Sequence, residues 1–185
     1  MPELINLNLG CGGDYKQGFI NIDCSDAENV DVHADVREYL PNMESGSAGL
    51  VYMSHFLEHL PGSDVVAVLK ECFRVLVNGG LVEIRVPNFA YYLDKYLDAD
   101  KGFWEDAKKT KALTHQIIHG RSVEQPIEPI INFFLSAIFL GGYHKFAFTQ
   151  SSLEYLLKKA GFRFIEFLPL ENDNQLVCEA KKDVV

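Results

Sequence analysis

Short apolar runs, each stopped by a glycine, an acid or a proline, recur along the chain. Leu4-Ile5-Asn6-Leu7-Asn8-Leu9 stops at Gly10, Phe19-Ile20-Asn21-Ile22 at Asp23, and Val30-Asp31-Val32-His33-Ala34 at Asp35. Leu50-Val51-Tyr52-Met53 follows, then Leu81-Val82-Glu83-Ile84-Arg85-Val86, which ends before Pro87. Runs of this length between turn residues predict the buried strands of an α/β sheet. Two segments switch to helical spacing. Val65, Val68, Leu69, Cys72, Phe73 and Leu76 share one face, with Ser63 as the predicted N-cap and Asn78-Gly79-Gly80 as the stop. Leu153, Leu156, Leu157 and Ala160 share another. That second pattern predicts a start at Ser151, a capping box completed by Glu154, and an end at Gly161. Arg163 to Leu168 and Gln175 to Ala180 predict two last strands joined at Asn172-Asp173-Asn174. Such a hairpin makes one strand of the sheet antiparallel.

Between Asn88 and Thr149 no period holds, apart from a helix predicted within Ala90 to Leu97. An insertion of this kind, at about 89–148, is a candidate lid and substrate segment over the carboxyl edge of the sheet. Residues 1–185 otherwise read as a single domain, long enough to bury a core.

Composition narrows the partners. The net charge is −9, from 26 acids and 17 bases, which argues against sequence-independent nucleic-acid binding. The four cysteines, Cys11, Cys24, Cys72 and Cys178, form no CxxC pair and read as reduced thiols of a cytoplasmic protein. The opening residues carry no basic region of a signal peptide. The apolar stretch Ile127 to Leu140 is too short and too interrupted to span a bilayer.

Chemistry concentrates first in LNLGCGGDYKQGFINID, residues 7–23. Gly10, Gly12 and Gly13 allow close approach of backbone to a ligand, with N–H groups expected to point outward. Tyr15 stands where a dinucleotide fingerprint requires its third glycine, so NAD and FAD are disfavoured, and no phosphate-loop GK[ST] is present. Asp23, at the end of the second strand, is where a ribose diol is held; Asp35, at the end of the third, could meet an adenine edge. Asp23 follows Gly10 by only thirteen residues, which leaves hardly any room for a crossover helix.

In order along the chain, LNLGCGG, the FINID acid, the ADV step, YMSHFLEHLP, GGLVEIRVPN and HKFAFTQSSLEYLLKKAGF resemble the class I S-adenosylmethionine-dependent methyltransferases, in their small-molecule, type 11-like branch. The resemblance implies a Rossmann-like α/β fold. Its seven-stranded, mostly parallel sheet would run in order 3-2-1-4-5-7-6 with strand 7 antiparallel, here with a shortened first crossover. It implies S-adenosyl-L-methionine as cofactor and S-adenosyl-L-homocysteine as product. The cofactor would be lined by Leu9, Gly10, Cys11, Gly12, Gly13, Asp23, Cys24, Asp35, Val36, Ser54 and His55. Asn8 departs from the pattern, since an acid commonly precedes the glycine turn there. The acceptor would be a small molecule, a sugar or another metabolite. Methyl transfer is mostly positioning, helped by a base where the acceptor must lose a proton. His144, His55 and His59 are the candidates for that base, because histidine titrates near neutrality.

Two other readings use the same residues. A binding protein would keep the cofactor pocket and lack an acceptor site. A zinc hydrolase would use His55-Phe56-Leu57-Glu58-His59, which spells H-x-x-E-H. The Pro61-Gly62 that follows cuts any helix short, and no further ligand is evident, so no metal site is expected. His115 and His119 lie one helical turn apart in a polar segment and are expected to face solvent. Ile130 to Leu140 suits core, a substrate lid or a homodimer surface.

Overall fold

The computed structural model describes residues 4–97, 144–170 and 173–183. His115, His119, the 130–140 segment and most of the expected lid lie outside those residues.

Seven strands form one sheet in order β3-β2-β1-β4-β5-β7-β6. β1 (Ile5–Leu9), β2 (Ile20–Asp23), β3 (Val32–His33), β4 (Ala48–Ser54) and β5 (Leu76–Pro87) run parallel. β7 (Gln175–Lys181) runs antiparallel to β5 and to β6 (Phe164–Leu168). This is the topology that the resemblance implies. Leu7, Leu9, Val51, Met53, Val82 and Ile84 on the central strands are fully buried. Each such side chain contributes about 1.5–3 kcal/mol relative to exposure. All six lie in register on one face of the sheet, while the opposite face of the same strands carries Asn8, Tyr52, Glu83 and Arg85.

α2 (Gly62–Val75) presents Val65, Val68, Leu69, Cys72 and Val75 to the core. Its ends differ from the sequence expectation. Pro61, not Ser63, is the N-cap residue, and Ser63 lies inside the first turn with its hydroxyl on Asp64. The helix stops at Val75, so Asn78-Gly79-Gly80 fall within β5 instead of ending the helix. There the register jumps from Leu76 opposite Ala48 to Leu81 opposite Leu50, and the extra residues bulge. Partners from the far end of the chain make this possible. Gly79 N–H donates to the Lys182 carbonyl, Lys182 N–H donates to Gly80, and the Lys182 ammonium caps the carbonyls of Leu76 and Arg74.

α4 (Gln150–Ala160) ends, as expected, at a left-handed Gly161. Its start is Thr149, whose side chain accepts from Ser152 N–H while the Ser152 hydroxyl accepts from Thr149 N–H. The capping box is therefore Thr149 with Ser152 rather than Ser151 with Glu154; Glu154 instead pairs with Lys158. α3 (Phe89–Leu97) forms where a helix was expected, and α1 (Val36–Tyr39) is a single turn after β3. No helix of the described residues is long and apolar enough to cross a membrane.

Candidate active site

The first crossover contains no helix: Gly10 to Phe19 is a chain of turns. A loop of that kind must still find partners for its backbone polar groups. Two buried asparagines supply them. Asn8, 1% exposed, donates to the Asp14 carbonyl and to Asn21 Oδ1, both at 2.8 Å. Asn21, fully buried, accepts from Lys16 N–H and reaches the carbonyls of Lys16 and Phe19 and the carboxylate of Asp31. Asp31 in turn accepts from Asn21 N–H, and these bonds hold its carboxyl below the usual range. Asn8 is thus spent on holding the loop, which accounts for an amide where an acid is common. Sequence reasoning flagged Asn8 only as a departure and missed Asn21 and Asp31; an apolar strand interrupted by asparagine at both places was the available signal.

The glycine turn differs in one respect from expectation. The N–H groups of Gly10 and Cys11 point inward, both onto the Ile22 carbonyl, and Gly12 N–H donates to Asp23 Oδ2 at 2.8 Å. They continue the pairing of β1 with β2 and so lock the turn onto the strand that carries Asp23. Gly10 has φ +65°, and a Cβ there would lie 2.1 Å from the Phe56 ring. Only glycine fits that contact. A Cβ on Gly12 or Gly13 would meet nothing within 4 Å, so the outer side of the turn is open. Asp23 accepts from Gly12 and, through Oδ1, from Ser25 N–H. Burial pushes its carboxyl up, but hydrogen bonds from Ser25, Gly12 and Cys24 outweigh this and hold it below the ordinary value. An ionised carboxylate has about four acceptor sites, so Asp23 keeps capacity for further hydrogen-bond donors.

The remaining expected cofactor residues are distributed along the same edge. Leu9 is fully buried beneath the turn and Cys11 is nearly so, with burial pushing its thiol up to about 11. Cys24 is exposed beside Asp23. Asp35 is the N-cap of α1 and is paired with Arg37, which also reaches Asp64. Hydrogen bonding to Arg37 outweighs burial and holds the Asp35 carboxyl low. Val36 packs into the core. Ser54 closes β4, and His55 follows with φ +52°, a conformation unusual for a non-glycine residue and frequent at functional sites.

After His55 the chain makes a single 3-10 turn, Leu57–His59. Leu57 is buried in the core, and Glu58 is 1% exposed. His55 Nδ1 lies 3.2 Å from Glu58 Oε1. The Glu58 carbonyl accepts from the N–H groups of Lys145 and Phe146, which draws the 144–148 stretch onto this turn. That stretch is pinned again where Phe89 N–H donates to the Phe148 carbonyl. The result sets the His59 and His144 rings edge to face, with centroids 4.9 Å apart. Glu58, His59 and His144 each bring one ligand atom within 4.8 Å of the others. Burial pushes the His144 imidazole below histidine's ordinary value, opposed by Glu58 and reinforced by His59 and His55. The structure therefore takes only Glu58 and His59 of the H-x-x-E-H motif into this group. It groups His59 with His144 from beyond α3, and His55 is held by Glu58.

The fold is that of the class I S-adenosylmethionine-dependent methyltransferases. Residues 7–84, from β1 through most of β5, match the model of the methyltransferase domain family, which bears out the resemblance read from the sequence. The chain superposes on a SAM-dependent methyltransferase from Archaeoglobus fulgidus with TM-score 0.61 and 15% identity, over 98% of this chain and 87% of that one. A possible histamine N-methyltransferase from Thermotoga maritima matches with TM-score 0.59 and 17% identity, over 99% and 84% of the two chains. The 1,6-didemethyltoxoflavin-N1-methyltransferase of Burkholderia thailandensis, solved with bound S-adenosylhomocysteine, matches with TM-score 0.56 and 14% identity, over 97% and 71%. No curated protein matches the chain in sequence.

Proposed function

We propose that this protein transfers a methyl group from S-adenosylmethionine to a small-molecule acceptor that enters at the carboxyl edge of the sheet. The observation that carries this reading is the contact of Gly12 N–H with Asp23, which joins an open glycine turn to the strand-end acid that would hold a ribose. The family match over residues 7–84 supports it.

When bound, the cofactor supplies an electrophilic methyl on a sulfonium. The turn at Gly10–Gly13 would hold its methionine portion, Asp23 its ribose, and Asp35 with the backbone at Val36 its adenine side. Ser54 and His55 would border it from the end of β4. That methyl would pass to the acceptor heteroatom, leaving S-adenosylhomocysteine as the product. The acceptor's proton leaves to solvent. On this reading His59 and His144 would face the acceptor, orient it and assist that proton's departure. The acceptor class is a sugar or another metabolite, delivered beneath the segment after α3. A cytoplasmic location accompanies the reading, supported by four free cysteines.

Calorimetric titration with S-adenosylhomocysteine tests it. The intact chain is expected to bind one equivalent. Asp23→Ala is expected to lose about 10- to 100-fold in affinity, the scale of hydrogen bonds to a charged group. A folded chain that binds no S-adenosylhomocysteine would overturn the proposal.

A further inference from the structure

We propose that Glu58, His59 and His144 form a site for one divalent transition cation, zinc foremost, on the acceptor side of the glycine turn. Three observations converge. The three ligand atoms already lie within 4.8 Å of one another. Glu58 Oε2 is buried and has no hydrogen-bond partner among the described residues, although Glu58 is only 1% exposed. The constellation is also held by backbone: Lys145 and Phe146 N–H groups clamp the Glu58 carbonyl, so His144 is brought to Glu58 and His59 whether or not a cation is present.

The donor set is selective. Two imidazoles and one carboxylate suit zinc and its neighbours better than magnesium or calcium, which prefer oxygen donors. Three protein ligands with an open position is the arrangement of zinc sites that act on a substrate, in contrast to closed structural sites. Zinc bonds of about 2.0–2.2 Å place tetrahedral donors roughly 3.4 Å apart, so side-chain rotations moving atoms by about 1 Å would close the set. His55 Nδ1 occupies the other carboxyl oxygen and orients Glu58 from outside, the usual place of a supporting hydrogen bond. This differs from the zinc peptidase arrangement, because His55 is not among the three grouped donors and the motif lies on a single turn rather than a long helix.

The site's role rests on the methyl-transfer reading, whereas its existence does not. A cation there binds an acceptor hydroxyl at its open position and lowers that hydroxyl's affinity for its proton, which goes to solvent. The acceptor class then narrows to molecules presenting a hydroxyl, with a vicinal oxygen as a second donor where the coordination sphere allows.

The test uses the full chain, stripped with a chelator and checked for fold by circular dichroism. Zinc chloride is titrated by calorimetry, cobalt(II) is followed by visible absorption, and S-adenosylhomocysteine is titrated separately. One equivalent of zinc and cobalt bands of low coordination number are expected. Glu58→Gln and His144→Ala should each weaken zinc by at least about 10-fold and leave S-adenosylhomocysteine affinity at the wild-type value. If Glu58→Gln fails to fold, His144→Ala decides alone. No zinc binding by the folded chain, or unchanged zinc affinity in His144→Ala, overturns the site. Zinc binding without S-adenosylhomocysteine binding upholds the site and overturns the cofactor reading instead.

Discussion

The glycine-turn half of the carboxyl edge and the histidine half are built from different materials. The first is backbone: N–H groups of Gly10, Cys11 and Gly12 fastened to β2 and to Asp23, over residues that are close in sequence. The second is side chains brought together from Glu58 and His59 after β4 and His144 before α4, with a backbone clamp between them. The halves touch through Phe56, whose ring lies against Gly10. A backbone site tolerates a shortened crossover as long as its polar groups find partners, and Asn8 and Asn21 provide them. A side-chain site depends on what fixes each side chain, and here that is the turn at Leu57–His59 together with Lys145 and Phe146.

Substitutions can separate the halves or couple them. Gly10→Ala should have the largest effect, because it combines a positive φ with a clash against Phe56. It is expected to cost about 3 kcal/mol or more in urea denaturation and to weaken both S-adenosylhomocysteine and zinc. Loss of one ligand only would break the claim that Phe56 joins the two halves. Asn21→Ala comes next. It strands Lys16 N–H and the Asn8 amide, at an expected cost of about 2 kcal/mol. It should weaken S-adenosylhomocysteine and spare zinc, measured by the same two titrations. Thr149→Ala is the smallest. Loss of the α4 cap should cost about 1 kcal/mol in urea denaturation and leave both affinities unchanged.

How much of this was legible in the sequence follows from the same contrast. β1, β2, β4 and β5 were readable because their apolar residues end in turn residues, whereas the strand order followed only from the resemblance to the methyltransferases. The helix-free crossover was readable because Asp23 follows Gly10 by only thirteen residues, which leaves no room for more. The place of Asp23 at the end of β2, beside the glycine turn, was readable because it closes an apolar run. The ends of α2 and the start of β5 were not, because Lys182, from the last strand's end, gives Gly79 and Gly80 sheet partners that local signals cannot reveal. The α4 cap was misplaced by two residues because Thr149 and Ser151 are equally good capping types and only geometry chooses between them. The inward turn of the Gly10 and Cys11 N–H groups was not legible, since it depends on the Ile22 carbonyl across the strand pair. The grouping of Glu58, His59 and His144 was the least legible, because it requires the chain to return from beyond α3 to the end of β4.

The central claim is that both halves serve one reaction centre. A crystal structure of the chain with S-adenosylhomocysteine tests it most directly. The account predicts ribose hydroxyls on Asp23 and the cofactor sulfur facing the side on which His59 and His144 lie. A cofactor that bypasses Asp23, or a sulfur directed away from those histidines, would contradict it.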